Sequence, residues 1–563
     1  MSYQADHQHG DFTPAPETEA ADAPNPFLPI LESLVEQLDD GLDHPEIWPM
    51  IASAAQHDDI AQLTALIHAL RPGQHDRMVQ RAFDVIGTMI HAFAVDLNEG
   101  VALFHQLANH YAPCPQVAGA AFFVQRAADP EKTADLSDRF CESPFIKFET
   151  LMDGTVAPCC SIWTEKRLGG LDNVTAEALW NSASAQEMRA SILDGSFRYC
   201  NKQRCSLIND DALPRRDDVT DPELRSYIDE GITALPRGPR WLFLAHDVTC
   251  NLACPSCRSG IEVANEAQER RFEKIEQQVF QPLLSNGRDV TISVSGQGDP
   301  WSSPHYRSIL RYLADHELNV GLNIHTNALL MSPQRWAQYA GLDRYNALVD
   351  VSIDSCTPWV YEQVRRPGKF DRLFANLSFI ADKRAKREFR EFHLNATIQL
   401  DNYHEMPALI DFARALGADT MRMYMMQNTG GHIAATYAQK NVGDASHPLH
   451  RAFLETLRDP RLGEEIAHLY DVSHWRAQAL ANTLPSDMLG RDFTRAELGE
   501  ALVEVSGDGA VTAALCTAGR IRFPQDASLW RIEATALDTL GFEQQAGYRR
   551  QEAARLESAA APD

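Results

Sequence analysis

Apolar positions recur at two periods along this chain of 563 residues. Leu31, Leu34, Val35 and Leu38 show the three/four spacing of a helix with one buried face, as do Ile60, Leu63, Leu66 and Ile67. Residues 27–130 therefore read as a helical domain, with Cys114 in a connection between helices. From 240 to 432 the pattern changes: short apolar, β-branched runs alternate six times with amphipathic stretches. The expected strands are Leu242–Val248, Val290–Val294, Val320–His325, Leu348–Ile353, Leu394–Leu400 and Met421–Met426, with helices such as Phe272–Leu284 and Met406–Leu416 between them. Such alternation implies a parallel sheet covered by helices, an α/β partial barrel. After about residue 442 helical spacing returns. Gly507 and Gly541 there stand 34 positions apart, the tetratricopeptide period, so residues 497–558 read either as repeat-like or as ordinary helical hairpins.

Three segments break these patterns. Residues 1–26 are rich in Ala, Asp, Glu and Pro and read as a disordered tail, in which His7 and His9 carry no expected role. Residues 137–210 hold five of the eleven cysteines and more glycine and aromatics, as a small cysteine-rich α+β domain. Within it, Asp153-Gly154 predicts the turn of a hairpin running from Phe145–Phe148 to Val156. Residues 211–239, polar and Pro-rich, read as a linker. The formal net charge of −27 argues against binding a phosphate backbone, so nucleic acid is not an expected partner. With no apolar run of bilayer length, no membrane partner is expected either, and grouped cysteines at low density fit metal ligation in the reducing cytoplasm.

The chemistry concentrates after the first expected strand, in Cys250-Asn-Leu-Ala-Cys254-Pro-Ser-Cys257. Three thiolates at this spacing hold three corners of an iron–sulfur cube and leave one iron open; zinc, the other reading, prefers a fourth protein ligand. The loop resembles that of the radical S-adenosylmethionine (SAM) enzymes. That resemblance implies a partial (βα)6 TIM-like barrel in which the open iron of a [4Fe–4S] cluster binds SAM. It implies too that reductive cleavage of SAM yields a 5′-deoxyadenosyl radical. Polar and glycine residues stand after every expected strand, where barrel ligands bind: Gly296, Gly298, Asp299 and Pro300, then Asn327, Ser352 and Asp354, Gln399, and Gln427 to Gly430. Ser295–Pro300 resembles the family's glycine-glycine-glutamate-proline motif, with aspartate for glutamate and an acceptor for the methionine ammonium. By the same resemblance, Arg365, or Arg366 beside it, is the expected carboxylate contact. Ser256 stands where the family often has an aromatic residue. Cys356 reads as a buried small side chain or a reactive thiol.

Cys141, Gly154, Cys159, Leu168-Gly169, Trp180-Asn181-Ser182, Arg189, Cys200 and Cys205 resemble, in their order, the SPASM and twitch auxiliary domains, here ahead of the barrel rather than after it. The resemblance implies one auxiliary [4Fe–4S] cluster on Cys141, Cys159, Cys200 and Cys205, with Cys160 as the spare; a structural zinc site uses the same set. The implied activity is a radical SAM oxidoreductase or maturase, fed by a flavodoxin or ferredoxin and acting on a peptide or protein held by the helical arms. A sugar or other small substrate is the second reading, and a repeat scaffold with structural metal sites the third. No general acid or base is singled out.

Overall fold

The computed structural model describes residues 135–560, apart from 162, 165, 172–173, 201, 203–204, 210, 281, 283–288, 428–433 and 491. The expected tail, the helical domain over 27–130 and Asn428 to Gly430 lie outside the described residues.

Ten strands, among them the two-residue edge strands β3 (Gly169–Gly170) and β10 (Ala467–His468), form one sheet in the order β10-β9-β8-β7-β6-β5-β4-β1-β2-β3. The six expected barrel strands are β4 (Trp241–Ala245), β5 (Val290–Val294), β6 (Val320–Thr326), β7 (Leu348–Ser352), β8 (Glu391–Ile398) and β9 (Thr420–Met425). All pair in parallel with their sequence neighbours. Helices such as Pro304–Asp315, Phe370–Ala385 and Met406–Leu416 connect them, as βαβ crossovers require. Along each strand, one set of side chains buries against these helices: Leu242 and Leu244, Ile292 and Val294, Leu322 and Ile324, Val349 and Val351. The alternate set faces the lumen of the partial barrel, and Trp241, Phe243, Asn323 and His325 in it are half-buried. Among the described residues no helix is long and apolar enough to cross a membrane.

The cysteine-rich segment does not stand apart from the barrel. Its first strand, β1 (Lys147–Leu151), pairs in parallel with β4, Lys147 beside Trp241 and Leu151 beside Ala245. On its other edge β1 makes the expected hairpin with β2 (Thr155–Ala157), turning at Asp153-Gly154, where Gly154 has φ +81°. Phe145 falls in a short helix, Ser143–Ile146, rather than in the hairpin strand. Phe145, Phe148 and Trp180 join Leu242 and Leu244 in one apolar core.

The expected linker is folded as well. Asp221 caps the helix Pro222–Glu230 through the amides of Glu223 and Leu224, and Gly231 ends it at φ +65°. Leu224, Tyr227 and Leu235 enter the common core. Arg189 explains why the segment is pinned. Fully buried, it donates to the carbonyls of Pro144, Trp180 and Thr233 at 2.9, 2.7 and 2.8 Å, while Asn181 exchanges two hydrogen bonds with the Leu235 backbone. The Trp180-Asn181-Ser182 and Arg189 motif is thus a structural fastener. The helices Arg495–Glu504, Gly509–Arg522, Ala527–Thr539 and Glu543–Ala560 follow in order, with Ala513, Ala514, Leu537 and Ala546 buried against the main core. Such consecutive helices fit either expectation for 497–558.

Candidate iron–sulfur and S-adenosylmethionine site

The loop after β4 carries Cys250, half-buried, Cys254, buried, and Cys257, exposed. Each sulfur has a donor beside it. Asn327 Nδ2 lies 3.7 Å from Cys250, Arg365 Nη1 3.9 Å from Cys254, and Arg258 Nη2 3.6 Å from Cys257. Donors of this kind stabilise thiolates and tune a cluster bound to them. Burial pushes the Cys250 thiol up to about 11, and burial likewise raises Cys254 although Arg365 opposes it. Ligation must therefore release protons, so the positive neighbours matter.

Gly296 and Gly298 serve close approach to this loop. A Cβ on Gly296 would sit 2.4 Å from the Ala245 Cβ, and one on Gly298 2.5 Å from the Asp247 carbonyl oxygen. Asp299 takes a different place from the one expected. Its carboxylate, 1% exposed, accepts from the amides of Trp301, Ser302 and Asn327 and from the Thr326 hydroxyl, at 3.0, 3.2, 2.8 and 2.7 Å. Four protein donors fill its lone pairs. Asp299 thereby clamps the loop after β5 to the loop after β6 and orients Asn327, rather than standing free for an ammonium. Pro300 is buried behind it.

Asp354, 1% exposed, accepts from the Thr397 amide at 2.8 Å and pairs with Arg365 Nε at 2.7 Å. Burial draws the Arg365 guanidinium down, but Asp354 and Cys254 outweigh it and leave its pKa raised. Arg366 is exposed and donates to the Gln363 carbonyl, so of the two arginines it is Arg365 that reaches the cysteine loop. Ser352 ends β7 on the lumen side beside Asn395. Gln399 follows β8 and is fully buried, yet among the described residues neither atom of its side-chain amide has a partner. An amide left in this state costs free energy unless a ligand meets it. Cys356 is half-buried, and burial holds its thiol well above the usual range, which fits packing rather than reactivity.

Cys141, Cys159, Cys200 and Cys205 come together as the walls of one hollow, with Pro144, Trp163, Met188 and Phe197. Cys160 is half-buried and is not among those walls. Burial raises all four thiols, Cys205 to about 12, and for Cys159 the charge of Cys141 adds to it. Among the described residues no three His, Cys, Asp or Glu side chains are placed to hold a single metal ion.

The residues that sequence reasoning passed over lie on the lumen face. Lys147 pairs with Glu149 at 2.6 Å; His325 Nδ1 and Arg422 Nη1 meet Asp350 at 3.3 and 3.0 Å. Arg258 was also passed over. Its signal was adjacency to Cys257, and for the lumen set it was the period-two position on strands.

A mostly parallel α/β sheet with a thiol-rich loop at the end of one strand and a second thiol set beside it defines the class. Residues 141–206 match the SPASM family, an iron-sulfur cluster-binding domain, so this segment is an iron–sulfur domain of that type. The chain is 25% identical over 164 residues to an uncharacterized protein of Archaeoglobus fulgidus, across 29% of this chain and 36% of that protein. The chain thus spans about a third of the length of that curated relative. Among solved structures, Streptococcus suis SuiB bound to precursor peptide SuiA aligns at 14% identity over 64% of this chain and 77% of that one, with a TM-score of 0.30. SuiB bound to S-adenosylmethionine aligns at 14% identity over 51% and 63%, with a TM-score of 0.27.

Proposed function

We propose that the chain is a radical SAM oxidoreductase or maturase with one auxiliary cluster, acting on a peptide or protein. The observation that carries this reading is the loop Cys250–Cys257, in which all three sulfurs have a donor within 3.9 Å and the protein supplies three thiols rather than four. When bound, a [4Fe–4S] cluster on these thiols supplies one electron for cleaving SAM to a 5′-deoxyadenosyl radical. The chain's own residues then have separate tasks. Arg365, held by Asp354, offers a guanidinium edge toward a carboxylate. Gln399 offers an unpaired amide, Gly296 and Gly298 let the β5 loop close on the cysteines, and Asn327 holds Cys250.

The half-buried lumen face, with Trp241, Phe243, Asn323 and His325, is the place for the reacting part of the substrate. A flavodoxin or ferredoxin is the electron donor in this reading, and Cys257 is the most exposed of the three thiols. The test is anaerobic: reconstituted protein with dithionite and SAM should yield 5′-deoxyadenosine. The Cys250→Ala, Cys254→Ala, Cys257→Ala triple variant should yield none. Zinc in place of iron with no product, or equal product from both proteins, sinks the reading.

A further inference from the structure

The turn Tyr403–Glu405 and the helix Met406–Leu416 face the C-terminal helices across a cavity of about 300 Å3. That volume stands at the lower end of the range for small-ligand sites. Its rim is exposed at Ala408, Pro524 and Gln525, and its wall is buried at Glu405, 4% exposed. The other charges around it are paired: Arg461 with Asp459 and Asp411 at 2.7 and 2.5 Å, Arg555 with Glu552 at 2.6 Å, and Arg520 with Glu533. Three polar side chains of the wall each leave one buried atom without a hydrogen-bond partner among the described residues: Glu405 Oε2, His404 Nδ1 and Trp530 Nε1. Buried polar atoms in this state cost free energy unless an occupant meets them.

Both of the strongest of these groups are held in place. Glu405 Oε1 accepts from the Thr357 hydroxyl, which leaves the second carboxyl oxygen over. The Trp530 indole lies under the Arg520 guanidinium, 4.2 Å from its ring centroid, with the His404 ring edge-on at 6.1 Å. An indole N–H only donates and a carboxylate only accepts. A peptide unit carries both counterparts, a carbonyl for the indole and an N–H for the carboxylate. Burial pushes the Glu405 carboxyl up to about 7, and a peptide carbonyl meets its protonated form as well. Thr357 follows Asp354 in the loop after β7, and Glu405 follows Gln399 after β8, so the lining loops are those of the barrel strand ends.

We propose that this cavity docks an extended peptide segment, recognised by its backbone amides through Trp530 and Glu405. A peptide rather than a free amide fits the exposed rim, because chain on either side of the bound unit can leave past Ala408 and Gln525. That the segment belongs to the substrate rests on the proposed function; the site itself rests on the cavity and its unpaired atoms.

The test pans phage-displayed random linear heptapeptides against the full reconstituted chain and measures the selected sequences, as synthetic peptides, by fluorescence anisotropy. Trp530→Phe removes the indole N–H and keeps a ring under Arg520. Ala408→Trp fills the mouth from an exposed position. In the peptides, each backbone amide is N-methylated in turn. Trp530→Phe, and N-methylation at one position, should each raise Kd about tenfold, the effect of a lost buried hydrogen bond. Ala408→Trp should abolish binding. No enriched peptide, or equal affinity for the parent and Ala408→Trp, overturns the site; indifference to N-methylation at every position overturns amide recognition. If Trp530→Phe fails to fold, Ala408→Trp and the N-methyl series decide. 5′-Deoxyadenosine formation from SAM is read in the same proteins, which separates the two failures. A chain that cleaves SAM but binds no peptide loses this site alone, and one that binds peptide in the cavity but cleaves no SAM keeps the site and loses the radical reading.

Discussion

Replacing Gln399 by Met should make the ligand-free protein more stable and SAM binding weaker. The side chain is fully buried, and both amide atoms lack a partner among the described residues. Its backbone is held independently, the amide donating to Asn402 Oδ1 at 2.8 Å, so the substitution leaves the strand end in place. Met matches Gln in length and flexibility but has no amide to desolvate. An unsatisfied buried polar group costs about 1–3 kcal/mol, and removing it returns that amount. In a protein of this size, that stabilisation is a rise of a few degrees in melting temperature, since roughly 2–4 °C per kcal/mol holds for 150–250 residues and less for longer chains. If the amide meets SAM, losing the same bonds weakens binding by about 1–3 kcal/mol, or roughly 5- to 150-fold in Kd. The assay pairs anaerobic thermal melting with calorimetric titration of SAM into the reconstituted protein. A lower melting temperature with undiminished SAM affinity would refute the reasoning, because it would mean that Gln399 is paired in the native state and faces no ligand.

Gly298→Ala should cost the first cluster while sparing the auxiliary one, because the new Cβ meets the carbonyls of Asp247 and Thr249 at 2.5 and 2.7 Å; iron per chain should fall by about half, and full iron retention would contradict the close-approach argument. Glu533→Gln leaves Arg549 and Arg520, 0% and 8% exposed, without their shared carboxylate. Breaking such a buried pair typically costs about 3–5 kcal/mol, so a melting temperature equal to the parent's would refute the account of how the C-terminal helices are held. Glu405 is pushed up to about 7 by burial, against opposing hydrogen bonds from Ser355 and Thr357. A carboxyl raised in the folded state binds protons more tightly there than in the unfolded chain, so stability should fall as pH rises from about 4.5 to about 7, by roughly 3 kcal/mol. Glu405→Gln should flatten that slope in melts taken across the window, and an unchanged slope would count against it.

Much of the fold was legible because its signals are local. A period of two on short β-branched runs and of three to four between them depends on residues within a few positions of each other, and the β5 strand and the helix Met406–Leu416 coincide with their expected limits. The loop Cys250–Cys257 and the set Cys141, Cys159, Cys200 and Cys205 were legible for the same reason, since ligand spacing is written along the chain. What tertiary structure alone decided depends on pairings distant in sequence. Nothing local told β1 to lie against β4, and this choice turned an expected separate domain and its linker into parts of one core. Arg365 reaches Cys254 across 111 positions and Asn327 reaches Cys250 across 77, so neither partner could be read from spacing. Asp299 matched a motif, yet four donors from two loops filled its lone pairs and made it a clamp. Lys147 looked like an ordinary strand residue until the pairing of β1 with β4 set it beside Trp241. The sequence by itself determined the elements and the metal-binding residue types, because those depend on short-range periodicity and ligand chemistry; the fold decided which charges surround each sulfur, because electrostatics acts through space rather than along the chain.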